Sequence, residues 1–178
     1  MSPLQQSILI SGSIFALVML TQYGRRAYNL HSLIRPLLMS AGFGYFYVKG
    51  APTSTADIVV YAVGAGIGVA LGVVSYLLTR VEREPSGVVK TVTGYGFVGV
   101  WLLAVAVRIT FIALAEHNAT FRLHLGTFMA GHGIVEAAIA PFFVLMALAM
   151  VLSRVGLVAA KAEHLSKVEA PAEELVAA

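Results

Sequence analysis

Tyr95-Gly-Phe-Val-Gly-Val-Trp-Leu-Leu-Ala-Val-Ala-Val-Arg108-Ile-Thr-Phe-Ile-Ala-Leu-Ala115 is an apolar run broken by a single charge. A helix needs about 20 predominantly apolar residues to cross roughly 30 Å of hydrocarbon, so this stretch reads as a membrane span. Arg108 is the exception within it. A guanidinium keeps its proton at any working pH. Left unpaired at a helix centre it costs about 2.5–3.5 kcal/mol on insertion scales. The sequence therefore predicts a partner at the same depth.

The surrounding composition agrees with a bilayer environment. Of 178 residues, 58% are hydrophobic and 12% charged, against about 45–50% and about 25% in soluble chains. So few charges could not cover that much apolar surface in water. The net charge is +3, but the basic residues gather in particular loops and form no nucleic-acid-binding face. Cysteine is absent, which excludes disulfides, thiolate nucleophiles and cysteine-held metal or iron–sulfur centres. Met1–Gln6 has no basic segment and no small-residue cleavage site follows. The first apolar stretch is therefore expected to be a retained helix rather than a signal peptide.

The pattern predicts an all-α, polytopic bundle of about five spans: 7–22, 36–48, 58–79, 95–115 and 127–152. The second is short for a full crossing, and Pro36 suits its first turn. Residues 1–160 are expected to form one transmembrane domain, and 161–178 a mobile cytoplasmic tail. Nine basic residues fall on one side: Arg25, Arg26, Arg35, Arg80, Arg83, Lys90, Arg154, Lys161 and Lys167. Lys49 and Arg122 fall on the other. The positive-inside rule then puts the N-terminus outside and the C-terminus in the cytoplasm.

Gly64, Gly68 and Gly72 recur every fourth residue in the third span. That spacing puts them on one helix face, where small residues let a second backbone approach. The partner is expected to be another helix of the chain, with homodimerisation as the alternative. A nucleotide-loop reading fails because no strand precedes these glycines. Pro141 is expected to kink the fifth span.

Arg108 lies thirteen residues before Phe121, the middle of the connection 116–126, while His132 and Glu136 lie eleven and fifteen after it. In a continuous antiparallel hairpin rising 1.5 Å per residue, the three share a level within about one turn. Arg108, His132 and Glu136 thus form the candidate site, with Glu136 ionised against Arg108. Such a cluster either holds two helices in register or lines a cavity for an anionic headgroup, a substrate carboxylate or a relayed proton. Haem b would need a second histidine at the depth of His132, and His31, His117, His124 and His164 all fall in loops or the tail. His117, His124 and Glu116 are too loosely spaced for a metal site. No hydrolytic triad or carboxylate pair falls within the spans, so catalysis is not expected.

Gly68-Val-Ala-Leu-Gly72, Leu78-Thr-Arg-Val81, the turn Glu82–Gly87 and Trp101-Leu102 leading to Ala106-Val-Arg108 resemble the CcdC-like family of small bacterial membrane proteins, as does Arg35-Pro-Leu37. The likeness covers about half the chain, roughly residues 25–114. It implies a bacterial plasma membrane and four or five helices, and it assigns no activity. The segment from Gly131 to Glu136 lies outside it. The resulting expectation is an integral membrane accessory or binding protein whose Arg108–His132–Glu136 cluster recognises a partner helix, a lipid headgroup or a small anion. Its partners would be the bilayer and another membrane protein or a second copy of the chain, with no nucleic acid. The alternatives are a proton-coupled carrier built on the same cluster and a redox protein holding haem or quinone.

Overall fold

The computed structural model describes residues 49–83 and 89–176, the stretch 24–27, and the single positions Gly12, Gly42 and Tyr45. The first two expected spans therefore lie outside the described residues. In chain order the elements are β1 (Gly24–Ala27), α1 (Thr55–Leu77), β2 (Thr79–Arg83), β3 (Val89–Thr93), α2 (Tyr95–His117), α3 (Ala119–His132), a 3-10 turn Glu136–Ala138, and α4 (Ile139–Val176). The protein is mostly helical. Helix α1, helix α2 and the stretch Glu136–His164 are each long and apolar enough to cross a membrane. Their outward residues include Val59, Val63, Leu102, Leu103 and Val107. A lipid solvent accommodates such surface and water does not.

Local chemistry sets the helix ends. Ser54 caps α1, its hydroxyl accepting from the Asp57 amide at 3.2 Å. Asp57 in that first turn also complements the helix dipole. At the other end the Thr79 hydroxyl donates to the Ser75 carbonyl at 2.8 Å, occupying one acceptor that the helix terminus leaves open. Asn118 alone separates α2 from α3 and caps the latter, accepting from the Phe121 amide at 2.9 Å.

The fifth span differs from its expected form. The chain breaks after His132, where Gly133 takes a left-handed φ of 67°. The Ile134 amide then donates back to the Met129 carbonyl at 2.9 Å. Glycine adopts this conformation without the steric penalty other residues meet, so it ends the helix here. The connection expected around Phe121 is itself helical, as α3. Pro141 falls in the first turn of α4, where its missing N–H has no intrahelical partner to lose. The interruption thus precedes Pro141 and is caused by Gly133. Helix α4 runs on to Val176.

The all-α expectation needs a second correction. The three strands form an antiparallel sheet in the order β1-β3-β2. Thr79, Val81, Val89, Thr91, Val92 and Thr93 are β-branched, the residue type that strands favour.

Helices α1 and α4 run in the same direction. Val135, just before α4, meets Asp57 at the start of α1, and Arg154 meets Thr79 just past its end. The glycines occupy the seam between them. A Cβ on Gly64 would lie 2.8 Å from the Phe142 ring, one on Gly68 would strike the Met146 carbonyl, and one on Gly72 would strike the Ser153 hydroxyl. Helix α2 runs the opposite way, stacking Phe97 and Trp101 edge to face beside Met150 and Val151.

Candidate functional site

The three residues that the hairpin count brings to one level fall on three different elements of the structure. Glu136 is exposed at the start of the 3-10 turn. His132 is exposed at the end of α3, where its Nδ1 donates to the Phe128 carbonyl at 2.8 Å and its ring lies 4.3 Å from that of Phe128. Arg108 is half-buried in α2, with its guanidinium carbon 5.8 Å from the centre of the Phe143 ring. No ion pair joins Arg108 to Glu136 among the described residues.

The reason is the break at Gly133. A shared level requires one helix from Thr127 onward, packed directly against α2. Because α3 ends at His132 and α4 begins afresh, the register opposite α2 slides. Phe143 rather than Glu136 meets the Arg108 level, and Phe111, one turn from Arg108, packs on both Phe121 and Phe143. A guanidinium above an aromatic face at about this distance gains cation–π attraction that strengthens once water is excluded.

Two polar residues that the sequence reading left unassigned organise the bundle. Asp57 is fully buried. One carboxylate oxygen accepts from the Ser54 hydroxyl at 2.6 Å and the other from the Val135 amide at 3.2 Å. Asp57 thereby latches the unwound segment 133–135 to the start of α1, a contact that links residues 78 apart in sequence. Ser54-Thr-Ala-Asp57 is a capping sequence ahead of an apolar run, the signal that would have drawn attention to it. We expect Asp57→Ala to free the Val135 amide and accelerate its hydrogen exchange on the order of tenfold, the loss of one hydrogen bond. Asp57→Asn, which keeps an acceptor, should restore most of the protection. Equal exchange in all three proteins would show that the latch is inactive.

Arg154 is the second such residue, 8% exposed. Its Nη2 donates to the hydroxyls of Thr79 and Thr93 at 3.4 and 3.2 Å, and its guanidinium stacks 4.0 Å from the centre of the Phe97 ring. Thr79 and Thr93 are themselves directly opposed across β2 and β3. Arg154 therefore pins the sheet to α4, although by sequence it counts only as one of the basic residues at the inner boundary.

Near the break, an open groove of about 520 Å³ is lined by Val59 and Val63 of α1, Phe128 and His132 of α3, Ile134 and Phe142. Its walls are apolar apart from the His132 ring. Glu116 and His117 lie at the C-terminal end of α2, His117 turned onto the Ala113 carbonyl of its own helix at 3.2 Å. Among the described residues no three acidic or histidine side chains gather as a metal centre.

Comparison of the chain with protein-family models, with curated proteins and with solved structures finds no match.

Proposed function

We propose that the protein is an integral membrane accessory or binding protein of the bacterial plasma membrane. In this reading five helices cross the bilayer, the N-terminus is outside and the C-terminus cytoplasmic. Arg108 supplies the cationic contact for an anionic group carried by a partner helix, a lipid headgroup or a small anion. The orientation is supported by the gathering of the basic strands β1, β2 and β3 at the end of the bundle where Arg154 lies. The bacterial setting comes from the CcdC-like resemblance.

The observation that carries the reading is the placement of Arg108. It stands well inside a 23-residue apolar helix, beside the Phe143 ring. Ionisable groups at such depth are costly and mark interaction sites more often than packing. A guanidinium backed by an aromatic ring is also pre-oriented for a planar carboxylate or phosphate.

Affinity purification of the full chain from its native membrane tests this. Wild type should return a stoichiometric partner protein or a retained anionic lipid. Arg108→Gln should lose it by about tenfold at unchanged folded yield, and Arg108→Lys should recover only part, because an ammonium lacks the planar fork. If both variants fail to fold, Arg108 serves the bundle alone. If retention is the same in all three, Arg108 recognises nothing.

A further inference from the structure

We propose that the groove between α1 and α3 binds a neutral, membrane-soluble phenol, a hydroxylated ring carrying an apolar tail, whose hydroxyl donates to Nε2 of His132. This rests on α1 crossing a bilayer and is independent of what Arg108 recognises.

The path of the chain sets the groove at one end of the bundle, open to lipid. Helix α2 runs against α1, and Asn118 alone joins its end to α3. Beyond α3, residues 133–135 return to the start of α1, where the Val135 amide donates to Asp57. Three residues span at most about 10 Å, whereas the 14 residues of α3 run for about 21 Å. Both ends of α3 are thus held at the same end of the bundle, and α3 crosses over that end instead of following the membrane normal. Its Phe128 and His132 form one wall of the groove, with Val59 and Val63 of α1 on the other. The two valines are exposed, so an entrant arrives sideways from the hydrocarbon. Polarity runs one way along the groove. Ala56, Ile134 and His132 lie at the end where Val135 meets Asp57. Val63 lies seven residues beyond Ala56, about 10 Å deeper, and Phe142 stands there beside Gly64. The deep end is wholly apolar and the shallow end holds the one polar ring, the order of head and tail in an amphiphile dissolved in one leaflet.

His132 fixes the chemistry of the head. A backbone carbonyl only accepts, so the contact with Phe128 means that Nδ1 carries the proton, and in the neutral ring Nε2 is left as an acceptor. Among the described residues the ring makes no second hydrogen bond. A phosphodiester or carboxylate head brings charge without a donor, and no charged side chain among the described residues lines the groove to offset its desolvation. A ketone or ester head brings only acceptors. A hydroxyl supplies the donor that Nε2 needs. The Phe128 ring lies 4.3 Å from that of His132, beside the point where the head sits, which favours an aromatic ring over an alkyl alcohol. The groove volume of about 520 Å³ falls within the range of about 300–1,000 Å³ usual for sites that hold one small molecule.

The test titrates the full chain in neutral detergent with para-nonylphenol and, separately, with para-nonylanisole, and reads binding by native mass spectrometry. The two probes share ring and tail and differ only in a methyl group that replaces the hydroxyl proton. Wild type should bind the phenol about tenfold more tightly, the worth of one hydrogen bond. His132→Phe keeps an aromatic wall without the acceptor and should bind both probes equally. Val63→Trp fills the groove and should weaken both by about tenfold or more. Equal binding of the two probes by wild type, or binding of neither, overturns the proposal and leaves the groove to the acyl chains of the bilayer. A preference for the phenol that survives in His132→Phe overturns it as well. Should His132→Phe not fold, Val63→Trp decides alone: Val63 is an exposed position, and unchanged binding of the phenol by that variant places the site elsewhere.

Discussion

Replacing Gly68 by leucine is expected to destabilise the protein by about 3 kcal/mol or more, enough to remove most folded material. A Cβ at this position would strike the Met146 carbonyl and approach the Ala149 side chain at 2.9 Å. The obstacle is backbone on one helix meeting backbone on another, so no rotamer change relieves it. Gly72 is similarly placed against the Met150 carbonyl at 2.6 Å. Gly66 provides the control: it belongs to the same glycine run, yet a Cβ there meets nothing within 4 Å. Gly66→Leu should fall within about 0.5 kcal/mol of wild type. Thermal unfolding of the three purified proteins in one detergent reads the difference directly. If Gly68→Leu and Gly66→Leu melt together, α1 and α4 are not packed through this face.

Truncating Arg154 is the second substitution with a large expected cost. Arg154→Ala removes the stack on Phe97, worth about 2 kcal/mol when desolvated. It also opens a cavity beneath the Thr79–Thr93 pair. Together these should lower stability by about 2–4 kcal/mol. Arg154→Met refills the space without a charge, and because an apolar group of similar volume often replaces a buried ion at little cost, it should lose much less. The two variants should nevertheless share one effect. Both release the sheet from α4, so hydrogen exchange at Thr79 and Thr93 should rise in each while α1 and α2 keep their protection. Unchanged exchange at the sheet in both variants would mean that Arg154 does not anchor it.

These contacts explain what could be read in the sequence. The apolar runs of α1 and α2, the second broken only by Arg108, are close to the length of a crossing, so composition alone locates them to within about three residues. The four-residue glycine period is equally local. It indicates a close approach, though the identity of the partner helix depends on the tertiary arrangement. Counting along a hairpin sets Arg108 opposite Glu136 only if the helix runs on unbroken, and Gly133 ends it. Gly133 is a helix-ending glycine in a stretch whose hydropathy alone suggests continuity. The strands were hidden for a different reason. Their charged residues dominate the reading as orientation signals and mask the β-branched valines and threonines between them. Asp57 and Arg154 could not be ranked from sequence because their importance comes from partners more than 60 residues away, namely Val135 for the former and Thr79 and Thr93 for the latter.

The account depends most on α1, α2 and α4 crossing the bilayer with the sheet on the cytoplasmic side. The chain has no native cysteine, so single cysteines can be introduced without removing any. A membrane-impermeant maleimide applied to intact cells should label Thr120→Cys, at the start of α3. Ser86→Cys, between β2 and β3, should be labelled only after the membrane is permeabilised. Labelling of Ser86→Cys from outside, or of both positions from the same side, would contradict the proposed topology.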